Sequence, residues 1–198
     1  AQKASGERIG ETLINLGWHS RWLHKETLSI SEIFSIMQEI RQHRDYNLET
    51  LYHIFHQEDL LMNVGQHQIR FVHPLLHSYC AALKLLNLSD LQQRLQDILV
   101  MCSVPHLQKW WEDTLYALVG LLTDPIPLFE RFADAAHNWG GPHRVLLARA
   151  LACLSFETLR SIPLYLLQKI LDACVVGLDA TREPSIERRA AIDRKSVV

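Results

Sequence analysis

The chain has 198 residues, 48% of them hydrophobic and 21% charged, which is the balance of an ordinary folded protein with core material for one large domain or two small ones. That composition excludes a disordered tail, a collagen-like repeat and a disulfide scaffold, and a net charge of −2 argues against a broadly basic nucleic-acid-binding domain. Glycine (8) and proline (7) are few for an all-β protein, so a mainly α fold is expected.

Ile9, Leu13 and Leu16 share one helical face and, with Trp18 and Trp22 behind them, predict a first helix. Ser29 with Glu32 three residues later forms a capping box, in which hydroxyl and carboxylate exchange bonds with otherwise orphaned backbone N–H groups. Behind it Ile33, Ile36, Met37 and Ile40 follow helical spacing. Asn47 is a good cap for a third helix bearing Leu48, Leu51, Tyr52 and Phe55. The period then changes. Residues 61–64, a Gly65-Gln66 turn and residues 68–72 predict a short β-hairpin. Pro74 suits the first turn of a helix expected to carry Leu75, Tyr79, Ala82, Leu83 and Leu86 inward. Three helices, a hairpin and a further helix make the order of a winged-helix domain with an exit helix, placed at residues 1–87.

From residue 88 to 198 the pattern is helical throughout. One helix carries Leu88, Leu91, Leu95, Ile98 and Leu99; Pro105 opens another through Leu107, Trp111, Leu115, Leu118 and Leu122. Asp124-Pro125 caps a helix with Leu128, Phe129 and Phe132, and Gly140-Gly141-Pro142 breaks the chain before Val145, Leu146, Arg149 and Ala152. Pro163 opens a helix with Leu164, Leu167, Ile170, Leu171 and Cys174, and Glu183-Pro184 starts a last one through Ile186 and Ala190. Helix starts at Pro105, Pro142 and Pro184 lie 37 and 42 residues apart, a spacing that fits a HEAT- or armadillo-like array of helix pairs as well as it fits an irregular bundle.

Cys80, Cys102, Cys153 and Cys174 are widely spaced among apolar neighbours, which reads as buried, reduced thiols of a cytoplasmic protein. No apolar run approaches the roughly 20 residues that cross a bilayer. The start at Ala1 and the end at Val198 lack the signals of natural termini, so a longer parent chain is expected.

The stretch Ile69-Arg-Phe-Val-His-Pro-Leu-Leu-His-Ser-Tyr-Cys-Ala-Ala82 resembles the segment that follows the ATPase core in NACHT-type STAND proteins, of the form F-x-H-x-x-x-x-E-Y-x-A-A. Phe71, His73, Tyr79, Ala81 and Ala82 match, and Ser78 stands where that pattern often has Glu. Glu58-Asp-Leu-Leu61 and the preceding helices resemble the family's winged-helix domain, and residues 109–122 resemble the helix that follows it.

The resemblance implies a nucleotide-controlled signalling switch of the kind found in defence systems. The winged-helix domain would fold over an upstream NTPase domain of the same chain and hold it ADP-bound, a helical array would sense an unknown protein ligand, and a homo-oligomer would form on activation. By motif match His73 is the residue that contacts the ADP β-phosphate. A helix N-terminus with an added imidazole N–H suits that task, although Pro74 removes one N–H donor. The segment itself is not expected to be an enzyme: it has no GxxxxGK(S/T), no paired acidic residues after an apolar strand, and no GxSxG elbow, so ATP or ADP would be shared with the upstream domain.

Other constellations carry less. His73, His77 and Cys80 have ligand-like spacing but no accompanying carboxylate, and His77 is read onto a mostly polar face, so no metal is expected. His53 and His56 read as partly exposed. The third helix has no Lys or Arg and carries Glu49, Glu58 and Asp59, a face that would repel a duplex and argues against DNA binding. Trp111 falls on an apolar stripe and is expected in the core. The alternative is a stand-alone α-helical scaffold or adaptor with no nucleotide role.

Overall fold

A computed structural model of the chain describes residues 2–41 and 48–175. Over these residues the protein is mainly helical with one small three-stranded sheet. It divides into two compact units, Ala1–Gln96 with Lys109–Leu121, and Asp97–Gln108 with Leu122–Val198. The first unit therefore takes in chain beyond residue 87. No helix among the described residues is long and apolar enough to cross a membrane.

The first unit contains α1 (Gln2–Trp22), β1 (Leu28–Ser29), α2 (Ile30–Arg41), α3 (Leu48–Gln57), β2 (Leu61–Asn63), β3 (Gln68–Phe71) and α4 (Pro74–Leu86). It also holds the start of α5 (Leu91–Met101) and most of α6 (Pro105–Leu121). The hairpin falls where the change of period put it, with Leu61 opposite Phe71 and Asn63 opposite Ile69. Along β3 the side chains alternate, Ile69 and Phe71 inward, Gln68 and Arg70 outward. β1 is an addition to the expected hairpin. It pairs antiparallel with β3 through Leu28 and Ser29, giving the order β1-β3-β2. Two residues are too few to show a period, so only the pairing reveals them as a strand.

Ser29 also makes the expected capping box. Its backbone N–H donates to Glu32 Oε2 at 2.8 Å, and Glu32 N–H donates to Ser29 Oγ at 3.2 Å. Those bonds and an ion pair with Lys25 draw the Glu32 carboxyl down to about 2, the Lys25 bond contributing most. Behind the cap, Ile33, Ile36 and Met37 are buried against Leu16, Leu28, Phe55 and Ile69. Each fully buried side chain of this size contributes about 1.5–3 kcal/mol. The Asn47 cap lies outside the described residues.

α1 and α4 form the most extensive helix pair of this unit. They pack tightly at Gly17, where a Cβ would meet Cys80 Cβ at 2.7 Å and the backbone of His77 and Ala81 at 3.1 and 3.2 Å. This close approach rotates α4 away from the expected orientation. His77, Ser78, Cys80, Ala81, Ala82 and Leu85 face inward, whereas Leu75 is 71% exposed and Tyr79 44%. Small residues let two backbones close in, and the larger Leu75 and Tyr79 are left outside. His77 is consequently buried, not on a polar face as its neighbours suggested.

The second unit holds the end of α5, the start of α6, α7 (Ile126–Trp139), α8 (Gly141–Ala152), α9 (Phe156–Ser161) and α10 (residues 164–175). Asp124 Oδ1 accepts from Ile126 N–H at 3.0 Å, and Leu128, Phe129 and Phe132 are buried as their spacing predicts. Gly140 joins α7 to α8 with φ +80, a conformation that side chains resist. On α8 the inward residues are His143, Leu146, Leu147 and Ala150; Val145, Arg149 and Ala152 are exposed. α10 is likewise turned from expectation. Ile162 before it and Leu166, Ile170 and Ala173 within it are buried, while Leu164 and Leu171 are exposed. The helix expected from Glu183-Pro184 lies outside the described residues.

Candidate functional site

His73 occupies the junction where β3 ends and α4 begins. It is the N-cap residue of α4, exposed, with extended backbone (φ −110, ψ 117), and its side chain makes no capping hydrogen bond. Pro74 takes the first helical position, where its missing N–H is one the helix could not have used internally. His73 thus leaves its imidazole uncommitted to the helix it starts. Its carbonyl accepts from His77 N–H at 3.2 Å.

Behind this junction lies a buried polar cluster in which consecutive residues of α1 meet consecutive residues of α4. Ser20 Oγ donates to Gly17 O at 3.1 Å and also bonds His77 Nε2. A hydroxyl has one proton, so His77 is the donor in the second bond and carries its hydrogen on Nε2. The His77 ring stacks on Phe71 with centroids 4.9 Å apart. Burial, reinforced by the nearby Arg21 charge, drives His77 down to about 3, so it is neutral at physiological pH.

Arg21, 6% exposed, lies beside it. Nη2 donates to Ser78 Oγ at 2.6 Å, Nη1 donates to Trp110 O, and the guanidinium sits 4.5 Å from the Trp110 ring centroid. Trp110 Nε1 donates in return to Arg21 O at 2.9 Å. Arg21 Nε has no partner. Burial pulls the guanidinium down to about 10 while the Asp113 and Glu26 carboxylates oppose the shift, and it stays charged at neutral pH. Ser78, at the position where the resembled pattern often has Glu, therefore receives a buried cation.

Outside the cluster an open, mostly apolar cleft of about 490 Å³ is lined by Leu75, Leu76, Ser78, Tyr79, Asp113, Tyr116 and Ala117. The outward turn of Leu75 and Tyr79 forms one wall. Trp111 is fully buried, as expected, and packs against Trp18 and Trp22 with ring centroids 6.2 Å apart in each case.

Among the described residues no group of His, Cys, Asp and Glu is arranged to hold a metal ion; His73 is exposed, while His77 and Cys80 are buried. The expectation of four buried thiols is met by two of them. Cys80 and Cys102 are buried, Cys153 is exposed and Cys174 half-buried, and none of the four is joined in a disulfide. Cys153 follows the last residue of α8 as its C-cap, past the end of the buried stripe. Burial pushes the Cys80 thiol up to about 11, which makes it a poor nucleophile. His53 is exposed and His56 half-buried.

In comparisons with family models, curated proteins and solved structures, nothing matches this chain. The residues that spacing missed are Ser20, Arg21 and Trp110. A signal was present: Leu13, Leu16, Gly17, Ser20 and Arg21 fall on one helical stripe, so two polar residues extend an apolar face.

Proposed function

We infer that this chain is the regulatory and interaction segment of a STAND-type signalling NTPase, cytoplasmic and not itself an enzyme. In this reading the first unit is a winged-helix domain that holds an upstream nucleotide-binding domain of the same chain in its ADP-bound off state. The helices after it link that switch to a sensor array of HEAT-like pairs, and activation releases a homo-oligomer. The element order helix, strand, two helices, two strands, helix, with the sheet order β1-β3-β2, supports the winged-helix reading.

The observation that carries the proposal is His73. It is exposed at the strand-to-helix junction, and its ring makes no bond to its own helix. The N–H groups of the first turn of α4 have no partners within the helix, so the junction offers an imidazole donor next to a helix N-terminus, a combination that suits a phosphate. In the full natural chain, His73→Ala is expected to speed ADP loss and promote self-association. Nucleotide retention that stays unchanged in that variant removes the role.

The open cleft beside Leu75 and Tyr79 favours a second reading, an adaptor that captures a protein partner without nucleotide. The coding sequence preceding Ala1 separates the two. The switch requires a P-loop there, and the adaptor does not.

A further inference from the structure

The first turn of α4 lacks a side-chain cap, yet it is tied to α1 twice. Ser78 Oγ donates its only proton to Pro74 O at 3.1 Å and accepts from Arg21 Nη2 at 2.6 Å. The bonds therefore run in one direction, from guanidinium to hydroxyl to the Pro74 carbonyl, each link polarising the next. The carbonyl just before Pro74 belongs to His73 and is held by the N–H of His77, whose ring is bonded to Ser20. Both peptide carbonyls flanking Pro74 are thus linked, one residue removed, to Ser20 and Arg21. The backbone that carries the His73 imidazole is fixed from beneath.

A buried guanidinium is an expensive way to fill this space. Among the described residues no carboxylate bonds to Arg21, its Nε has no partner, and an apolar side chain of similar length would fill the volume without the desolvation cost. What an apolar side chain lacks is the donor to Ser78. Resting on the reading of His73 given above, we propose that Arg21 is a positioning residue that sets where the His73 imidazole stands, with Trp110 holding Arg21 in place on its other side.

The test compares Arg21→Met and Arg21→Lys with the parent chain by NMR, at a temperature where each variant is fully folded. Two probes report on the junction: the His77 amide, whose exchange reads the bond to the His73 carbonyl, and the His73 ring Cε1–H resonance. Arg21→Met is expected to speed His77 amide exchange about tenfold and to move the His73 resonance, while amides in α2 keep their rates. Arg21→Lys is expected to recover part of the effect, because an ammonium still donates to Ser78 but lacks the fork that also reaches Trp110 O. Lower thermal stability with the His77 amide and the His73 resonance both unmoved overturns the proposal. If Arg21→Met does not fold, Ser78→Ala breaks the same link and is read the same way.

In the full natural chain, His73→Ala and Arg21→Met are both expected to speed ADP loss. Faster loss in His73→Ala alone overturns the positioning role and leaves the nucleotide reading standing. No change in His73→Ala overturns the nucleotide reading, and the role of Arg21 with it.

Discussion

Among the described pairs of α1 to α9, the α1–α4 pair of the first unit and the α7–α8 pair of the second are the most extensive, and they use different chemistry. Where α1 meets α4 the interface is Gly17, Ser20, Arg21, His77, Ser78, Cys80 and Ala81, small or polar almost throughout. α7 and α8 bury Phe129, Phe132, Ala133, Ala136, Leu146, Leu147 and Ala150, and the buried polar side chain there is His143. The first contact depends on backbone proximity and on each polar atom finding its partner. The second depends on filled volume. Substitutions should therefore hurt the two pairs by different mechanisms.

The largest expected effect is at the apolar pair. Phe129 is fully buried with Phe132 edge-on at 5.9 Å, so Phe129→Ala leaves a cavity and should cost about 3–5 kcal/mol, read as lower protection of α7 and α8 amides. Next comes Gly17→Ala, which adds a methyl where none fits and should cost about 1–3 kcal/mol in chemical denaturation. Removing the opposing atom in the double variant with Cys80→Gly should return part of that loss. A Gly17→Ala protein as stable as the parent would mean the helices are farther apart than 2.7 Å implies.

The polar crossing should also respond to acid. His77 titrates near 3 when folded and near 6.5 when unfolded, so the unfolded chain binds the extra proton between those values. Stability from neutral His77 is fully present above pH 6.5 and falls as pH drops, by up to about 1.4 kcal/mol per unit. Glu32 is shifted in the same direction, from 4.5 to about 2, but in a lower window, so its contribution is lost only below pH 4.5. Between pH 6.5 and 5, exchange of α1 and α4 amides therefore reads His77. His77→Gln can still donate to Ser20 but does not titrate, and it should flatten that slope while lowering stability at neutral pH through the lost Phe71 stacking. His143 is also held below its ordinary value, by burial, so an acid slope should persist at the α8 amides in the same variant.

This contrast also explains which parts of the fold could be read from sequence. Elements announced by a strong local rule were legible: the Ser29–Glu32 box, the change of period at residues 61–72, proline at the start of α4 and α6, and Phe129 and Phe132 on a wide apolar stripe. The faces of α4 and α10 were not. Hydrophobicity points Leu75, Tyr79, Leu164 and Leu171 inward, but close approach at Gly17 selects the small side of α4, and packing selects Leu166, Ile170 and Ala173 on α10. The candidate site divides in the same way. His73 follows from a motif in consecutive residues, whereas Arg21, Ser78 and Trp110 come together from positions 57 and 89 residues away from Arg21.

The smallest effects test the ends of the helices that build this unit. α1 and α3 both finish with a residue in the left-handed region that is not glycine, His24 at φ +53 and Asp59 at φ +51. In each the next N–H reaches back five residues, Lys25 to Ser20 O at 2.9 Å and Leu60 to Phe55 O at 2.9 Å, the bond that closes a Schellman cap. Glycine adopts that conformation without the Cβ strain, so Asp59→Gly should stabilise by about 0.5–1 kcal/mol. At His24 the same change also removes ring contacts with Trp110 and Trp111, each 6.3 Å away edge-on, and these should offset the gain. Denaturant midpoints for the two variants then separate backbone strain from aromatic packing. If both gain equally, the His24 ring contributes nothing, and the aromatic cluster around Trp110 that braces Arg21 is smaller than its geometry indicates.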